Sequence, residues 1–589
     1  MQDYLDIFSN TWAILLVVLF FGGSIFVHEF GHFVAAKLCG LKVLRFSIGF
    51  GPKLISWTGA DGCKYMVSLL PLGGYVALPQ LADMGALEGG TEEDSAAKSL
   101  PPAGFAAKII VSSAGALFNL LFAALLAAVV WIVGLPESDA YRTTTIGYVP
   151  EKISDIDGSK IPSPAFSAGL KPGDKILEID SDKVSSFAEI IEAIALGSGR
   201  DSNGKPMAEI KILRDGKEMQ MKVYPALIRT NLGTGDAIRM LGAMPAMKMK
   251  VGELLDNSPA QKAGIKVGDT IKGINSEKLY SNQQLIDILS KVPEGETVKL
   301  DISRDGKEMS LIVKPAKVVR TKSYCELSIP GDPGFSMRLF DSKNADASSV
   351  KVLSARGQFD YIPQPGFMLY KANGRDILNI SQLNTVINHN SEKGSITLAF
   401  MSPTYEMGDM TLPKGSQSKI TPPREQVMLG YILEDITIIT HPSIASQFAD
   451  SIRRTYGAME SLLNPKSDVG INSLAGPVDI GRVIYKLSFA DISLVLSFAV
   501  LLNINLAILN MLPIPVLDGG HILFAIISKI RGGPIPPNVF GAIQAAFTLL
   551  FLSLMVYVVY YGMLRWSGDS RYEREMEAVS EINVEDVNF

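Results

Sequence analysis

Four long apolar segments constrain this 589-residue chain more than any other feature. None of them contains a charged residue, and each is long enough to supply the roughly 20 apolar residues that cross a bilayer as a helix. The four segments are residues 7–27, 109–136, 492–517 and 532–564. The intervening stretch from about 140 to 487 has the composition of a water-soluble region. The pattern predicts a polytopic α-helical membrane protein with four transmembrane helices and one large soluble insert.

The basic residues predict the orientation of these helices. The first apolar segment has no basic residues before it and no small-residue cleavage site after it, so we expect it to be retained rather than removed as a signal peptide. By the positive-inside rule, loops rich in Lys and Arg are cytoplasmic. Such residues follow the first segment and separate the third from the fourth: Lys37, Lys42, Arg45, Lys53, Lys64, Lys529 and Arg531. The soluble insert and both termini are therefore predicted to be extracytoplasmic.

Charge and cysteine content argue against nucleic-acid binding and against a disulfide-stabilised fold. The formal net charge is -5, and no basic face indicates nucleic-acid binding. Only three cysteines occur, and two of them, Cys39 and Cys63, fall in the predicted cytoplasmic loop. A disulfide framework is therefore not expected.

The soluble insert contains an internal repeat. The segment "SPAFSAGLKPGDKILEIDSDKV" begins at Ser163, and "SPAQKAGIKVGDTIKGINSEKL" begins at Ser258, with about half of their positions identical. Each copy predicts a strand, a turn, a short helix and two strands joined at Asp-Gly. The pattern resembles the PDZ domain of bacterial envelope proteases, which implies binding of extended peptides by strand addition. The alternative is a pair of spacers without a ligand.

A weaker match to the repeat begins at Pro365, "PGFMLYKANGRDILNISQLNTVI". It lacks the "SPA..AG" segment and predicts a degenerate third copy. Residues 319–364 and 402–425 are rich in Ser, Pro, Gly and charge, which is typical of linkers. After them, apolar residues at helical spacing from 442 to 463 predict an amphipathic helix on the outer membrane surface.

The sequence "VHEFGH" places two histidines and a glutamate inside an apolar helix. His28 and His32 are four residues apart, so both imidazoles lie on one helix face. That spacing is typical of zinc sites in which the intervening carboxylate, here Glu29, activates water. The alternative is a pair of buried histidines with satisfied hydrogen bonds, but this chain has only five histidines. We therefore expect a Zn²⁺ site.

A catalytic zinc site needs a third protein ligand. The segment "NINLAILNMLPIPVLDGGH" is the other polar cluster within an apolar segment, and Asp518 is its only acid. Pro513 and Pro515 predict a broken helix, which is tolerated at membrane depth where it lines a cavity. Asp518 is the preferred third ligand, and His521 is the competing candidate.

Together, "HEFGHF", "PLGGYV", "SLAGPVDI" and "LNMLPIPVLDGGH" resemble the site-2 protease family of intramembrane zinc metalloproteases over nearly the whole chain. The resemblance implies that His28, His32 and Asp518 bind zinc and that Glu29 is the catalytic base. It implies substrate handling by Asn505 and Asn510. It also implies a bacterial inner-membrane location and transmembrane substrates already trimmed by another protease, such as an anti-sigma factor or a signal-peptide remnant. The "GALFN" segment departs from the family's Gly-Pro before the asparagine at Asn119.

Two alternatives remain open at this point. The segment 65–78 predicts strand, Gly-Gly bend and strand, and its Gly73, Gly74 and Tyr75 are candidate substrate-binding residues if an unwound substrate pairs with it. The alternative is a plain membrane-associated cytoplasmic β-hairpin. At the level of the whole chain, the rival to a protease is a non-catalytic membrane scaffold whose PDZ domains hold envelope peptides.

The predicted boundaries follow from these features. They are helix 1 at 1–40, the cytoplasmic loop with its β-hairpin at 41–104, helix 2 at 105–136, PDZ domains at 144–226 and 240–316, a linker with a degenerate PDZ-like insert at 320–425, an extracytoplasmic amphipathic region at 426–487, helix 3 at 488–530, helix 4 at 536–565 and an acidic tail at 566–589.

Overall fold

The computed structural model describes residues 11–81, 101–155, 159–229, 237–319, 321–344, 347–357, 359–402 and 405–582. Within them, four helices are long and apolar enough to cross a membrane: Thr11–Leu38, Phe105–Val133, Ile492–Asn510 and Asn538–Asp569. The predicted four spans are confirmed. The first ten residues and the last seven lie outside the described residues, so the predicted extracytoplasmic termini remain predictions.

The N-terminal part consists of two spans with a small sheet between them. Helix α1 covers Thr11–Leu38 and includes a π-helical segment at Val18–Gly22. Strands β1 (Arg45–Thr58) and β2 (Lys64–Ala77) follow, and then helix α2 (Phe105–Val133). Strand β3 (Leu135–Ser138) leads from α2 into the soluble region.

Strands β1 and β2 do not form the hairpin that was expected within residues 65–78, because the two halves of that segment pair on opposite sides of residues 45–48. Residues 45–48 pair with 64–67 on one side and with 74–77 on the other, while 53–58 pair with 64–68. Each long strand is therefore used twice, and the pairing order is 53–58, 64–68, 45–48, 74–77. Among the residues that the structure describes, segment 74–77 pairs on one side only and is an edge of this sheet.

The first repeat follows a 3₁₀ turn at Asp139–Arg142. Its elements are β4 (Ile146–Tyr148), β5 (Lys152–Ser154), β6 (Lys160–Pro162), α3 (Pro164–Ser167), β7 (Lys175–Ile179), β8 (Asp182–Lys183), α4 (Phe187–Leu196), β9 (Ala208–Arg214), β10 (Lys217–Val223), β11 (Ala226–Arg229) and β12 (Ala237–Met240). The sheet order is β10-β9-β7-β8. Ile176, Ile190 and Ile210 are fully buried in its core.

The second repeat has the same sheet order, β18-β17-β15-β16. Strand β13 (Met244–Pro245) pairs with β4 and completes the first repeat. The elements of the second repeat are β14 (Met249–Leu254), α5 (Pro259–Lys262), β15 (Thr270–Ile274), β16 (Glu277–Lys278), α6 (Asn282–Ser290), β17 (Val298–Arg304), β18 (Lys307–Val313) and β19 (Ala316–Val319). Both repeats begin their main helix with a serine cap. Ser186 accepts from the amide of Glu189, and Ser281 accepts from the amide of Gln284.

Residues 324–421 form a third folded unit, so the linker predictions for 319–364 and 402–425 are both wrong. Its elements are β20 (Tyr324–Ile329), β21 (Asp332–Asn344), β22 (Ala347–Arg356), β23 (Met368–Ala372), β24 (Arg375–Asp376), α7 (Ile380–Asn390), β25 (Ile396–Met401), β26 (Met407–Leu412) and β27 (Gln417–Thr421). The strands β20 to β22 carry buried Leu327, Leu339 and Val352, which pack against β25. The apolar residues of this core alternate with polar ones within a polar, Gly-rich sequence. The average composition therefore indicated a linker, although the alternation is that of strands.

The third unit repeats the topology of the first two. Its order β26-β25-β23-β24 matches theirs, and Asn379 caps α7 as the two serines cap their helices. A side-chain contact is also shared by the three units. In each, a turn residue accepts from a backbone amide near the start of the strand that follows the main helix. The pairs are Asp180 with Glu209, Asn275 with Lys299, and Asn373 with Thr397.

The third unit is inserted into a hairpin of the second repeat. Strand β19 pairs with β28 (Glu425–Met428), as β11 pairs with β12 in the first repeat. The chain then continues into β29 (Tyr431–Leu433), which pairs with β14. Residues 425–433 therefore complete the second repeat, and the predicted boundaries at 226, 316 and 426 were drawn without these closing strands.

The whole insert leaves and returns through one two-stranded ribbon. Strand β30 (Thr437–Thr440) pairs with β3, from Leu135 with Thr440 to Ser138 with Thr437. The remaining elements are α8 (Ile444–Leu463), a 3₁₀ turn at Ile471–Ser473, α9 (Pro477–Ala490), α10 (Ile492–Asn510), α11 (Asp518–Arg531) and α12 (Pro537–Ile582). Predicted helix 3 is thus a span, α10, followed by a turn and a separate helix.

The first repeat is held against the membrane-spanning part through α8 and the segment after it. Asp468 accepts from Arg200 and Arg239, with both N–O distances 2.6 Å. Arg453 of α8 lies 3.3 Å from Glu189 at the start of α4. Helix α8 in turn packs on α2 and α10, where Gln447 donates to the carbonyl of Ala127. The soluble insert is therefore docked as well as tethered.

Candidate metal centre

His28 and His32 project from one face of α1, as their spacing predicted. Their Nε2 atoms are 3.2 Å apart, and their rings are nearly perpendicular. Asp518 approaches from the first turn of α11, with Oδ2 3.1 Å from His28 Nε2 and Oδ1 3.4 Å from His32 Nε2. Two elements that are distant in the sequence thus bring three ligand-type side chains together.

The three side chains fit a tetrahedral zinc ion. Their ligand atoms all lie within 4.8 Å of one another. Two ligands at about 2.05 Å from a tetrahedral ion are roughly 3.4 Å apart, close to the separations seen here. Asp518 Oδ2 is buried and accepts no hydrogen bond from the described residues, as expected of an atom that has a cation for its partner. Three protein ligands leave the fourth position open for chemistry.

Helix α2 positions both imidazoles from the side opposite the cluster. The Val111 carbonyl accepts from His32 Nδ1 at 2.7 Å, which fixes the tautomer that leaves Nε2 for a metal. Asn119 is fully buried, and its amide lies 3.3 Å from His28 Nδ1. With His28 Nε2 directed at the cluster, Nδ1 carries the proton, and the Asn119 amide oxygen is an acceptor that this side chain can turn toward it.

Gly115 lies between these two supports on α2. A Cβ at this position would lie 2.5 Å from His32 Nε2 and 2.7 Å from His28 Nε2. Any side chain would therefore occupy the space of the imidazoles. The "GALFN" segment departs from the expected family pattern at the residue before Asn119, yet it keeps the glycine and the asparagine that contact the site.

Glu29 lies beside the edge segment 74–77 of the small sheet. A Cβ on Gly74 would be 2.9 Å from Glu29 Cγ and 2.8 Å from the Ser47 carbonyl oxygen. Only a glycine permits this approach of the sheet edge to the carboxylate. Gly73 and Tyr75 flank this point and are both half-buried.

The turn after α10 brings Asp518 to the cluster. Helix α10 ends at Asn510, and α11 begins at Asp518. A Cβ on Gly520 would lie 2.6 Å from the Ile514 carbonyl carbon, so the first turn of α11 packs directly on the preceding backbone. His521 lies one turn further along α11 and is not part of the three-residue cluster found among the described residues.

The predicted asparagines divide between two places. Asn510 Nδ2 lies 3.5 Å from His28 Nε2, at the cluster. Asn505 instead accepts a hydrogen bond from Thr455 and joins α10 to α8. Asn503, which was not predicted, is fully buried and donates to Ser24 of α1 at 2.9 Å and to the Ala499 carbonyl. The structure thus brings Asn510 to the metal site and places Asn505 at a helix–helix contact.

A sequence search could have identified some of the supporting residues. An isolated asparagine in an apolar span, such as Asn119, is a usable signal because a buried amide needs partners. The Val111 contribution is a backbone carbonyl and has no signature in the sequence. The role of Gly115 depends on which face of α2 meets α1, and composition does not reveal that face.

Apolar spans that enclose two imidazoles and a carboxylate, with a second carboxylate beside them, define an intramembrane metalloenzyme. Comparison with known families then assigns the chain: residues 16–554 match the model of peptidase family M50, and the chain belongs to this family. It is a multi-pass membrane zinc metalloprotease.

Three relatives illustrate the similarity. The chain is 25% identical over 567 residues to the regulator of sigma E protease of Haemophilus influenzae, covering 95% of this chain and all of the relative. It is 24% identical to a putative zinc metalloprotease of Pasteurella multocida over the same shares. It is 24% identical to the regulator of sigma-E protease of Escherichia coli, covering 93% of this chain and 97% of that protein. An enzyme of this family is not the non-catalytic scaffold considered from the sequence.

Proposed function

We propose that this chain hydrolyses peptide bonds within transmembrane segments of membrane proteins. The observation that carries the proposal is the cluster of His28, His32 and Asp518, because both histidines lie inside the apolar span Thr11–Leu38. A metal site enclosed by spans acts on substrates that share that depth. His28, His32 and Asp518 are the zinc ligands in this proposal, and Glu29 is the general base.

Zinc supplies Lewis-acid chemistry here, since it polarises a carbonyl oxygen and acidifies water. The residues of the chain do the remaining work. The Glu29 carboxylate takes a proton from the attacking water and delivers it to the departing amine nitrogen. Val111 and Asn119 hold the two imidazoles in place. Asn510 lies beside His28, where its amide can donate to the oxygen of the reacting carbonyl group.

A transmembrane helix hides its peptide bonds, so a substrate must be extended before cleavage. Within the part of the chain that the structure describes, segment 74–77 is paired on one side only, and it reaches Glu29 at Gly74. An unwound substrate that pairs with this edge as an added strand would present its backbone next to Glu29. Gly73, Gly74 and Tyr75 are the proposed substrate-binding residues. The distribution of Lys and Arg supports a cytoplasmic location for this sheet.

The repeats are proposed to be extracytoplasmic PDZ domains that restrict access from outside. The insert is joined to the spans by the β3–β30 ribbon and docked by Asp468. Folded domains fixed at this position exclude bulky ectodomains and admit trimmed substrates. Two of the relatives are named as regulators of sigma E, which is consistent with an anti-sigma factor as one proposed substrate class. Signal-peptide remnants are the other proposed class. Recruitment of a new substrate C-terminus by the repeats is the competing role.

A Glu29→Gln variant tests whether Glu29 acts as the general base rather than as a zinc ligand. We expect Glu29→Gln to reduce cleavage by about 10²–10⁴-fold, because the carboxamide cannot accept the proton, while zinc per chain stays at the wild-type value. The measurements are cleavage of a reconstituted single-span substrate and elemental analysis of the purified protein. Loss of zinc in this variant would mean that Glu29 is a ligand, and full activity would remove it from the mechanism.

A further inference from the structure

A cavity between α2 and α11 has no part in the reaction above. Its volume is about 260 Å³, and it opens between the first turn of α2, the last turns of α11 and the start of α12. Its wall includes six side chains that carry the argument: Phe105, Lys108, Phe524, Ser528, Lys529 and Phe540.

The position of the cavity is at a boundary of the bilayer. The apolar spans of α2 and α12 begin at Phe105 and Asn538, next to the cavity wall. This is the end of the spans at which the Lys- and Arg-rich connections lie, so the proposed orientation makes it the cytoplasmic leaflet. Basic pockets between helices on that side are typical sites for acidic lipid headgroups.

The cavity is basic at one part of its wall and apolar at another. Lys108 lies in the first turn of α2, and the Lys529 ammonium is 5.8 Å from the centre of the Phe105 ring. Phe524 is buried and packs edge-to-face on Phe540, with ring centres 4.9 Å apart. Such a wall matches a ligand that is anionic at one end and hydrocarbon at the other.

We propose that this cavity binds the phosphodiester headgroup of an anionic membrane phospholipid. Lys108, Lys529 and the Ser528 hydroxyl surround the phosphate, and the aromatic wall takes the first carbons of the acyl chains. Pockets for whole drug-sized ligands are about 300–1,000 Å³, so this smaller cavity holds the headgroup while the chains stay in the bilayer.

The bound lipid connects the two helices that build the metal centre. Lys108 lies one turn before Val111 on α2, and Lys529 lies on α11, the helix that begins with Asp518. Lys529 follows Asp518 by eleven positions on the same helix, which corresponds to about 16 Å along the helix axis. A headgroup held between these helices keeps α2 and α11 in the relative position that the imidazoles and Asp518 require.

The test uses the full-length protein purified from a membrane that contains phosphatidylglycerol and phosphatidylcholine. Native mass spectrometry counts the lipids that stay bound. We expect the wild type to retain phosphatidylglycerol, and the double variant Lys108→Gln/Lys529→Gln to lose about tenfold or more of it. The matched control is Arg531→Gln, which removes a positive charge two residues from Lys529 and outside the lining, and should retain the lipid. Zinc content confirms that each variant is folded.

Two further measurements distinguish a specific lipid-binding site from general attraction of anions to basic residues. Ser528→Trp keeps every charge but fills the cavity, and it should lose the lipid as the double variant does. Millimolar inorganic phosphate should not displace the lipid, because it lacks the chains. The proposal is overturned if the double variant or Ser528→Trp retains the lipid, if Arg531→Gln loses it equally, or if phosphate alone displaces it.

Discussion

At the scale of the residue, the site is defined by which atoms face the cluster and which support it from behind. His28, His32 and Asp518 converge, whereas His521 lies one turn beyond on α11. The buried Oδ2 of Asp518 has no hydrogen-bond donor among the described residues. A carboxylate in that position is costly unless a cation compensates it. Asp518, rather than His521, is the proposed third ligand because its carboxylate oxygens lie 3.1 Å and 3.4 Å from the two imidazoles.

The choice between Asp518 and His521 is open to a direct test. We expect Asp518→Asn to lose most of the bound zinc, because a neutral amide is a much poorer ligand than a carboxylate. We expect His521→Ala to retain zinc at the wild-type ratio. Elemental analysis of both purified variants, with circular dichroism to establish that each is folded, makes the comparison. Retention of zinc by Asp518→Asn together with its loss from His521→Ala would exchange the two roles.

The sequence predicted that the two imidazoles share one helix face, because the spacing of His28 and His32 carries its own geometry. It predicted less about their supports. Asn505 and Asn510 look alike in sequence, yet one bonds to Thr455 of α8 and the other lies 3.5 Å from His28 Nε2. Their difference depends on the rotation of α10 against its neighbours, which is set by packing across the bundle. No local pattern in an apolar segment encodes that rotation.

At the scale of the element, the strand pairing of the small sheet is the feature that the sequence predicted least well. A hairpin with a Gly-Gly bend was expected within residues 65–78, but its two halves pair on opposite sides of residues 45–48. The edge nearest Glu29 is therefore residues 74–77. The opposite edge, residues 53–58, lies three segments away in the pairing order. Addition of a substrate strand therefore has a favoured edge and a matched control edge within the same sheet.

A photo-crosslinking pair distinguishes the two edges. We expect p-benzoylphenylalanine in place of Tyr75 to crosslink a transmembrane substrate in a Glu29→Gln background, where the substrate is bound but not cut. The same probe in place of Trp57, an aromatic residue on the opposite edge, should crosslink weakly. Equal crosslinking from both positions, or a stronger product from Trp57, would contradict strand addition at segment 74–77.

At the scale of the whole molecule, the insert is a nested arrangement. Two repeats carry a third unit of the same topology, which is placed inside the hairpin formed by β19 and β28. The sequence showed two copies because their "SPA..AG" segments are nearly the same. The third copy was visible only as a weaker match from Pro365, because it lacks that segment. Its extent was hidden because the pairing of Val319 with Glu425 spans an entire folded unit. Long-range pairing of this kind leaves no local signal.

The ribbon that joins insert to spans permits a clean excision. Because Ser138 pairs with Thr437, a short Gly-rich turn can replace residues 139–436 without separating α2 from α8. If the repeats act as a filter, the shortened enzyme should cut substrates that keep their folded ectodomain, as well as trimmed ones. A shortened Glu29→Gln protein controls for cleavage by other enzymes. Untrimmed substrate left intact, with slower cutting of trimmed substrate, would instead indicate recruitment.

The central claim is that side chains of α1 and α11 would hold a zinc ion, and that the enzyme hydrolyses peptide bonds at membrane depth. The most direct measurement is mass-spectrometric mapping of the cut in a single-span substrate reconstituted with the purified enzyme. The account predicts cleavage within the apolar segment of the substrate, lost after chelation and restored by added zinc. A cut confined to residues outside that segment, or one that persists in the chelated enzyme, would contradict it.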